Sequence, residues 1–219
     1  MREQVWLVDR VTGDLIVEGL EADESLAFAG DLLPSPTDLK CARPLRVATL
    51  PAVATHPLAT LRVAAIWHGS LVEGPGRRSV VQLQGCPIRC LGCSVPQTHD
   101  TNAGALLSVE DVVDALLDPV GAPRDGVTVI GGEPMAQPLG LAALLRRLRA
   151  RGTHIVVYTG FTIEALARHR SPAVRQALES TDLLIDGPYV RALADAAGEW
   201  RGSRNQRLIQ NPGSTLPPL

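Results

Sequence analysis

The sequence predicts an α/β protein: a partial (β/α) barrel of about five or six parallel strands with a small N-terminal appendage. From residue 79 onward, short continuous apolar runs recur, as in Val127-Thr128-Val129-Ile130, Ile155-Val156-Val157 and Leu183-Leu184-Ile185. Continuous rather than alternating runs mark strands buried on both faces of a parallel sheet. Between them lie stretches with helical spacing, and there are too few strand–helix units for a closed eight-stranded barrel. With 219 residues, 45% of them hydrophobic and 20% charged, the chain is long enough to bury a sizeable core. It fits one domain with an appendage better than two equal domains.

Residues 5–18 read as a hairpin, with Val5-Trp6-Leu7-Val8 and Leu15-Ile16-Val17 on either side of a turn at Thr12-Gly13-Asp14. Residues 22–33 read as a helix and 34–60 as a proline-punctuated connector. Residues 1–60 therefore form the appendage, 61–210 the main domain and 211–219 a tail. An appendage of this kind can cover an exposed sheet edge, or dock a partner or substrate. The main domain opens on the strand Leu61-Arg62-Val63-Ala64-Ala65-Ile66, followed by Ser79-Val80-Val81-Gln82-Leu83. Ser108, with Asp111 three residues on, reads as the N-cap of a helix that places Val109, Val112, Val113 and Leu116 on one face. A second helix carries Leu141, Leu144, Leu145 and Leu148, with Arg146, Arg147 and Arg149 on its solvated side.

Composition excludes several functions. A net charge of −2 and a pI of about 6.2 give no general attraction to nucleic acid or an anionic membrane. Residues 44–67 are apolar, but Pro44, Pro51, Pro57, Arg46 and Arg62 break them too often for a bilayer span. The start, Met1-Arg2-Glu3-Gln4, leads into a mixed segment rather than a secretory signal. A reducing cytoplasm is the expected compartment, because it keeps thiols available for metal.

Three of the four cysteines fall in one short window, Cys86-Pro87-Ile88-Arg89-Cys90-Leu91-Gly92-Cys93, and the fourth is Cys41. Three clustered thiols do not suit a disulfide framework, and a structural zinc site normally wants a fourth protein ligand beside them. They do suit a [4Fe–4S] cube with one iron left for a small molecule. Spacing alone leaves zinc and the cube about equally open. Gly131-Gly132-Glu133-Pro134 directly after a buried strand adds to the case for the cube. The cysteine loop, Gly131–Pro134, Tyr158-Thr159-Gly160 and Asp186-Gly187-Pro188 all follow predicted strands, at the end of a barrel where chemistry is built. With Cys41 alone left over, a second all-cysteine cluster within one chain is ruled out.

Together the cysteine triplet and the Gly-Gly-Glu-Pro turn closely resemble the radical S-adenosylmethionine (SAM) superfamily. The lead-in His68-Gly69-Ser70-Leu71-Val72-Glu73-Gly74-Pro75-Gly76 resembles that of glycyl-radical-enzyme activases. So do Tyr158-Thr159-Gly160, Asp186-Gly187-Pro188 and Arg201-Gly202-Ser203-Arg204-Asn205-Gln206-Arg207. Gly92 and the Ser203–Arg207 tail are nearest to members that act on anaerobic ribonucleotide reductase. The resemblance implies that Cys86, Cys90 and Cys93 hold the cluster, while Gly131, Gly132, Glu133, Thr159, Asp186 and Asn205 contact SAM. Glycines let a backbone approach a ligand closely, and the Glu133 carboxylate suits the SAM ammonium. It further implies reductive cleavage of SAM to a 5′-deoxyadenosyl radical, then hydrogen abstraction from a glycine of a partner glycyl radical enzyme. The electron would come from a donor such as flavodoxin or ferredoxin.

Two departures matter. Gly92 stands where many superfamily members carry an aromatic residue, and Ser94-Val95-Pro96 lacks the pattern expected after the third cysteine of activases. Gly92 is shared with the members that act on the reductase, whereas the sixty additional N-terminal residues and the altered residues after Cys93 keep open a radical SAM enzyme acting on a small molecule or a ribosomally made peptide. A non-catalytic zinc module using His99 as fourth ligand is the alternative of another class; it leaves the strand-end glycines and Glu133 without a role.

Overall fold

A computed structural model describes residues 5–9, 15–18, 59–118, 121 and 123–216 of the chain. The sheet contains β1 (Val5–Asp9), β2 (Leu15–Glu18), β3 (Thr60–Ser70), β4 (Arg78–Leu83), β5 (Ala105–Ser108), β6 (Gly126–Gly131), β7 (Ile155–Tyr158), β8 (Leu183–Asp186) and β9 (Arg207–Gln210). Its order is β2-β1-β3-β4-β6-β7-β8-β9, with β5 also paired to β3. The mixed α/β class is as the sequence predicts, and so is the antiparallel pairing of β1 with β2. The expected helix at 22–33 lies outside the described residues, as does nearly all of the connector.

Among the described residues, four consecutive strands, β4, β6, β7 and β8, run parallel to one another rather than five or six, and β1 pairs parallel with β3. Antiparallel strands flank this block: β3 against β4 and β9 against β8. The reason is connection length and content. Residues 71–77 between β3 and β4 are too few for a parallel crossover, and residues 187–206 between β8 and β9 contain no α-helix. Strands β5 and β9 were not anticipated. Each is four residues long and partly exposed, so neither shows the apolar run that marks the parallel strands.

The crossovers are α1 (Val109–Leu117), α2 (Pro138–Ala150), and α3 (Ile163–Ala167) with α4 (Pro172–Glu179). Ser108 caps α1 as expected, its hydroxyl accepting from the Asp111 N–H at 3.1 Å. Val109, Val112, Val113 and Leu116 are buried, as are Leu141, Leu144, Leu145 and Leu148 of α2. Arg146 and Arg149 face solvent, and Arg147 pairs with Glu110 of α1. Alternation along the strands divides the apolar side chains between two faces. Val127, Val129, Ile155, Val157 and Leu184 join the helices in one large core. Val156, Leu183 and Ile185 form a smaller cluster against Tyr158 and Trp200. Among the described residues, no helix is long and apolar enough to cross a membrane.

At the start of β4, Arg78 is fully buried. Its guanidinium donates to Thr128 Oγ1 (2.6 Å) and to the carbonyls of Pro75 (3.0 Å), Val127 (2.6 Å) and His154 (2.9 Å). Burial lowers its pKa to about 10, against the opposing pull of Asp125, Tyr158 and Asp182, so it stays charged at neutral pH. Thr128 Oγ1 in turn donates to the Glu73 carbonyl at 2.6 Å. One cation thus ties the 71–77 loop, β6 and the start of β7 together. Arg78→Met keeps most of the stem but leaves these acceptors unsatisfied. It should destabilise the fold by about 2–4 kcal/mol in chemical denaturation.

Candidate active site

The ends of β4, β6, β7 and β8 open on a cavity of about 660 Å³. Cys86, Cys90 and Cys93 line it, and so do Gly131, Gly132, Glu133 and Thr159. Seven of the nine residues singled out from the sequence therefore meet in one place.

The cysteine loop is fixed where it leaves β4. The Gly85 N–H donates to the Thr98 carbonyl (2.9 Å) and the Cys86 N–H to the His99 carbonyl (3.3 Å). The Gln84 amide donates to the carbonyls of Gln97 (3.0 Å) and Asp100 (2.7 Å). The one-turn helix Pro96–His99 is thereby folded back against the start of the loop. Farther along, the Cys93 N–H donates to the Cys90 carbonyl at 3.1 Å. All three cysteines are free thiols; Cys86 is buried and the other two half-buried. Burial pushes the Cys86 thiol up, so iron binding must displace a proton there.

Gly131 and Gly132 bring the end of β6 against this same loop. Gly131 has φ +137°, and a Cβ on it would lie 2.2 Å from the Leu83 nitrogen. A Cβ on Gly132 would lie 2.3 Å from the Gly85 carbonyl oxygen. The Gly132 N–H donates to the Leu83 carbonyl (2.7 Å) and the Glu133 N–H to that of Gly85 (2.8 Å). The close approach expected of these glycines is thus, first of all, to the backbone immediately preceding Cys86.

Glu133 is buried at 1% exposure. Its Oε1 accepts from the Met135 N–H (2.9 Å) and the Thr159 hydroxyl (2.8 Å), and Oε2 from the Gly160 N–H (2.8 Å). Burial raises its pKa, and these three donors pull it partly back. The carboxylate joins the end of β6 to the end of β7, and Thr159 enters the cavity beside it.

The other two residues lie off the cavity lining. Asp186 is fully buried and accepts from Arg207 (2.9 and 2.5 Å) and from the Ile163 N–H (2.7 Å). Arg207 also grips Glu164 through both carboxylate oxygens, at 2.9 and 2.8 Å, which lowers the Glu164 pKa to about 2. The Asn205 amide donates to the Pro188 carbonyl (2.7 Å). Its neighbour Gln206 does line the cavity; it accepts from the Gly202 N–H (2.7 Å) and donates to the Gly187 carbonyl (3.0 Å).

Sequence reasoning missed the aromatic side of the cavity. Both tyrosines of the chain, Tyr158 and Tyr189, and two of its three tryptophans, Trp67 and Trp200, line it. Their scarcity elsewhere was the available signal. Burial pushes the Tyr158 hydroxyl up, as does the Glu73 carboxylate. His99 lines the cavity too, and its Nε2 is buried with no hydrogen-bond partner among the described residues. Left so, a buried polar atom costs about 1–3 kcal/mol. Three free thiols lining one cavity fit a bound iron–sulfur cluster. A closed structural zinc site would need a fourth ligand beside the three cysteines. As the side chains stand, no group of three or more His, Cys, Asp or Glu among the described residues, the cysteines included, is drawn together tightly enough to hold a metal ion.

Residues 72–209 match the family described as "4Fe-4S single cluster domain", more than half of the chain. The anaerobic ribonucleoside-triphosphate reductase-activating protein of Salmonella typhimurium is 33% identical over 142 residues, 62% of this chain and 90% of that protein. Its Vibrio cholerae counterpart is 32% identical over 143 residues, 62% and 89%. Pyruvate formate-lyase 1-activating enzyme of Escherichia coli K12 is 32% identical over 117 residues, 52% of this chain and 46% of that enzyme. The chain belongs to this 4Fe–4S family, as a radical SAM enzyme of the glycyl-radical-enzyme activase type. Its cofactors are a [4Fe–4S] cluster and SAM.

Replacing Glu133 by Gln sets an NH₂ group against one of the three donors. In the absence of SAM this should cost about 1–3 kcal/mol of stability, read by chemical denaturation.

Proposed function

We propose that Cys86, Cys90 and Cys93 ligate the cluster and that Gly131, Gly132, Glu133 and Thr159 bind SAM beside it. The observation that carries this reading is the common cavity of the three free thiols and the Glu133–Thr159 pair. When bound, the reduced cluster and SAM supply one electron and, from the C–S bond that breaks, a hydrogen-abstracting carbon radical. The protein binds and orients them. Glu133 keeps acceptor capacity beyond its three internal bonds and faces the SAM ammonium. Asp186 and Asn205 act at one remove: Asp186 anchors β9 and the turn before α3, and Asn205 holds the 187–206 segment that walls the cavity. In this reading the sheet coils as a partial (β/α) barrel over residues 61–210, with residues 1–60 as an edge-covering appendage.

The substrate is a backbone glycine of a partner glycyl radical enzyme, most like anaerobic ribonucleotide reductase. A flavodoxin- or ferredoxin-type donor supplies the electron, and the site of action is the cytoplasm. Overall similarity to the reductase-activating proteins supports this choice, and so does an open cavity large enough to admit a chain segment next to SAM.

Single alanine replacements of Cys86, Cys90 or Cys93, reconstituted anaerobically, should lose the cluster's absorbance and SAM cleavage, whereas Cys41→Ala should keep both. The Glu133→Gln protein should bind SAM about 10–100-fold more weakly, measured by titration. If Cys41→Ala behaves like the other three, the ligand assignment fails.

Adding the cognate glycyl radical enzyme should stimulate 5′-deoxyadenosine formation. That enzyme should gain a glycine-centred radical in electron paramagnetic resonance (EPR), abolished when its target glycine becomes alanine. Turnover of a small metabolite or peptide, with no radical on the partner, would instead favour a modifying enzyme.

A further inference from the structure

His99 is held against the cysteine loop by its main chain but has no role within the protein for one ring nitrogen. Its carbonyl accepts from the Cys86 N–H at 3.3 Å, and the adjacent Thr98 carbonyl accepts from Gly85 at 2.9 Å. Thr98 is itself buried, its hydroxyl donating to the Val95 carbonyl at 2.8 Å, which stiffens the one-turn helix carrying His99. His99 lines the cavity that Cys86, Cys90 and Cys93 also line, and its Nε2 is buried with no hydrogen-bond partner among the described residues. Nε2 is shut off from bulk solvent, and the cavity is where a bound group can reach it and satisfy it. On the cavity wall Glu133 and Gln206 are engaged by protein donors and acceptors, whereas Arg201 Nε, like His99 Nε2, is buried without a hydrogen-bond partner among the described residues.

We infer that His99 Nε2–H donates a hydrogen bond to a sulfur of the bound cluster, a thiolate or a sulfide, next to Cys86. This rests on the assignment of the three cysteines to the cluster. The chemistry is that of an imidazole N–H facing an electron-rich sulfur. Reduction adds negative charge to the cluster, so a donor at this position stabilises the reduced form and raises the potential. His99 is thus a cofactor-contacting residue that eases delivery of the electron on which SAM cleavage depends. The alternative acceptor is an oxygen of SAM, which the experiment separates by omitting SAM.

The test is an anaerobic redox titration of the SAM-free protein, followed by the EPR signal of the reduced cluster. Wild type, His99→Phe and His99→Gln are compared at equal iron and sulfide content. At the wild-type midpoint, the reduced-to-oxidised ratio in His99→Phe should fall about two- to ten-fold, the weight of one hydrogen bond. His99→Gln, which keeps an N–H donor, should recover much of it. Identical potentials in wild type and His99→Phe overturn the inference. So does an effect of His99→Phe confined to SAM affinity, which would assign the contact to SAM. Should His99→Phe fail to load, wild-type protein with ¹⁵N-labelled histidine decides. A weak ¹⁵N coupling to the reduced cluster supports the hydrogen bond; no coupling, or one of directly ligated strength, overturns it. Wild-type protein that takes up no iron and sulfide at all would instead sink the cluster assignment on which this rests.

Discussion

The contact on which the site depends is between backbones: the end of β6 lies directly against the last residues of β4. Gly131 and Gly132 leave no room for a side chain there, and two main-chain hydrogen bonds, to Leu83 at 2.7 Å and Gly85 at 2.8 Å, close the junction. Because Gly85 precedes Cys86, the junction sets the cysteine loop and Glu133 in a fixed relation. Glu133 then passes that constraint to β7 through Thr159 and Gly160. Three strand ends become one rigid rim, which suits a site that must hold two cofactors in register.

Charge is handled differently at the two ends of the parallel strands. Below the site, the cation of Arg78 is buried among carbonyls and a hydroxyl, without a carboxylate in hydrogen-bond contact. It anchors the loop that carries Val72 and Glu73 to the cavity wall. Near the rim, Arg207 is shared between buried Asp186 and exposed Glu164, which ties β9 to α3. Both arrangements fix the segments around the cavity and leave its interior to the thiols, Glu133 and the aromatic side chains. Such buried polar links serve geometry more than net stability.

Much of this was legible in the sequence because the site is built from strand ends. Apolar runs locate strands, and the residues immediately after them must share a rim if the strands are parallel. That logic brings the cysteines, Gly131–Glu133 and Thr159 to one rim, and all of them line one cavity. Asp186, the last residue of β8, lies off the cavity lining and turns toward Arg207, a partner on β9 that no local pattern announces. The number of parallel strands was overestimated for a related reason: an apolar run does not reveal its direction, and only the connections on either side do. The aromatic wall was missed because Tyr189 and Trp200 come from the 187–206 segment, where no periodicity points inward. His99 was visible only as a possible zinc ligand, since nothing in a sequence shows that a ring nitrogen is buried without a partner.

The central claim is that three cysteines and one strand-end turn serve a single pair of cofactors. It is tested most directly by a structure of the anaerobically reconstituted protein with SAM bound. The account predicts Cys86, Cys90 and Cys93 each on an iron of one cube, with the SAM methionine end against the Gly131–Glu133 turn. Participation of Cys41 in the cluster, a cube held by fewer than these three thiolates, or SAM bound away from that turn would contradict it.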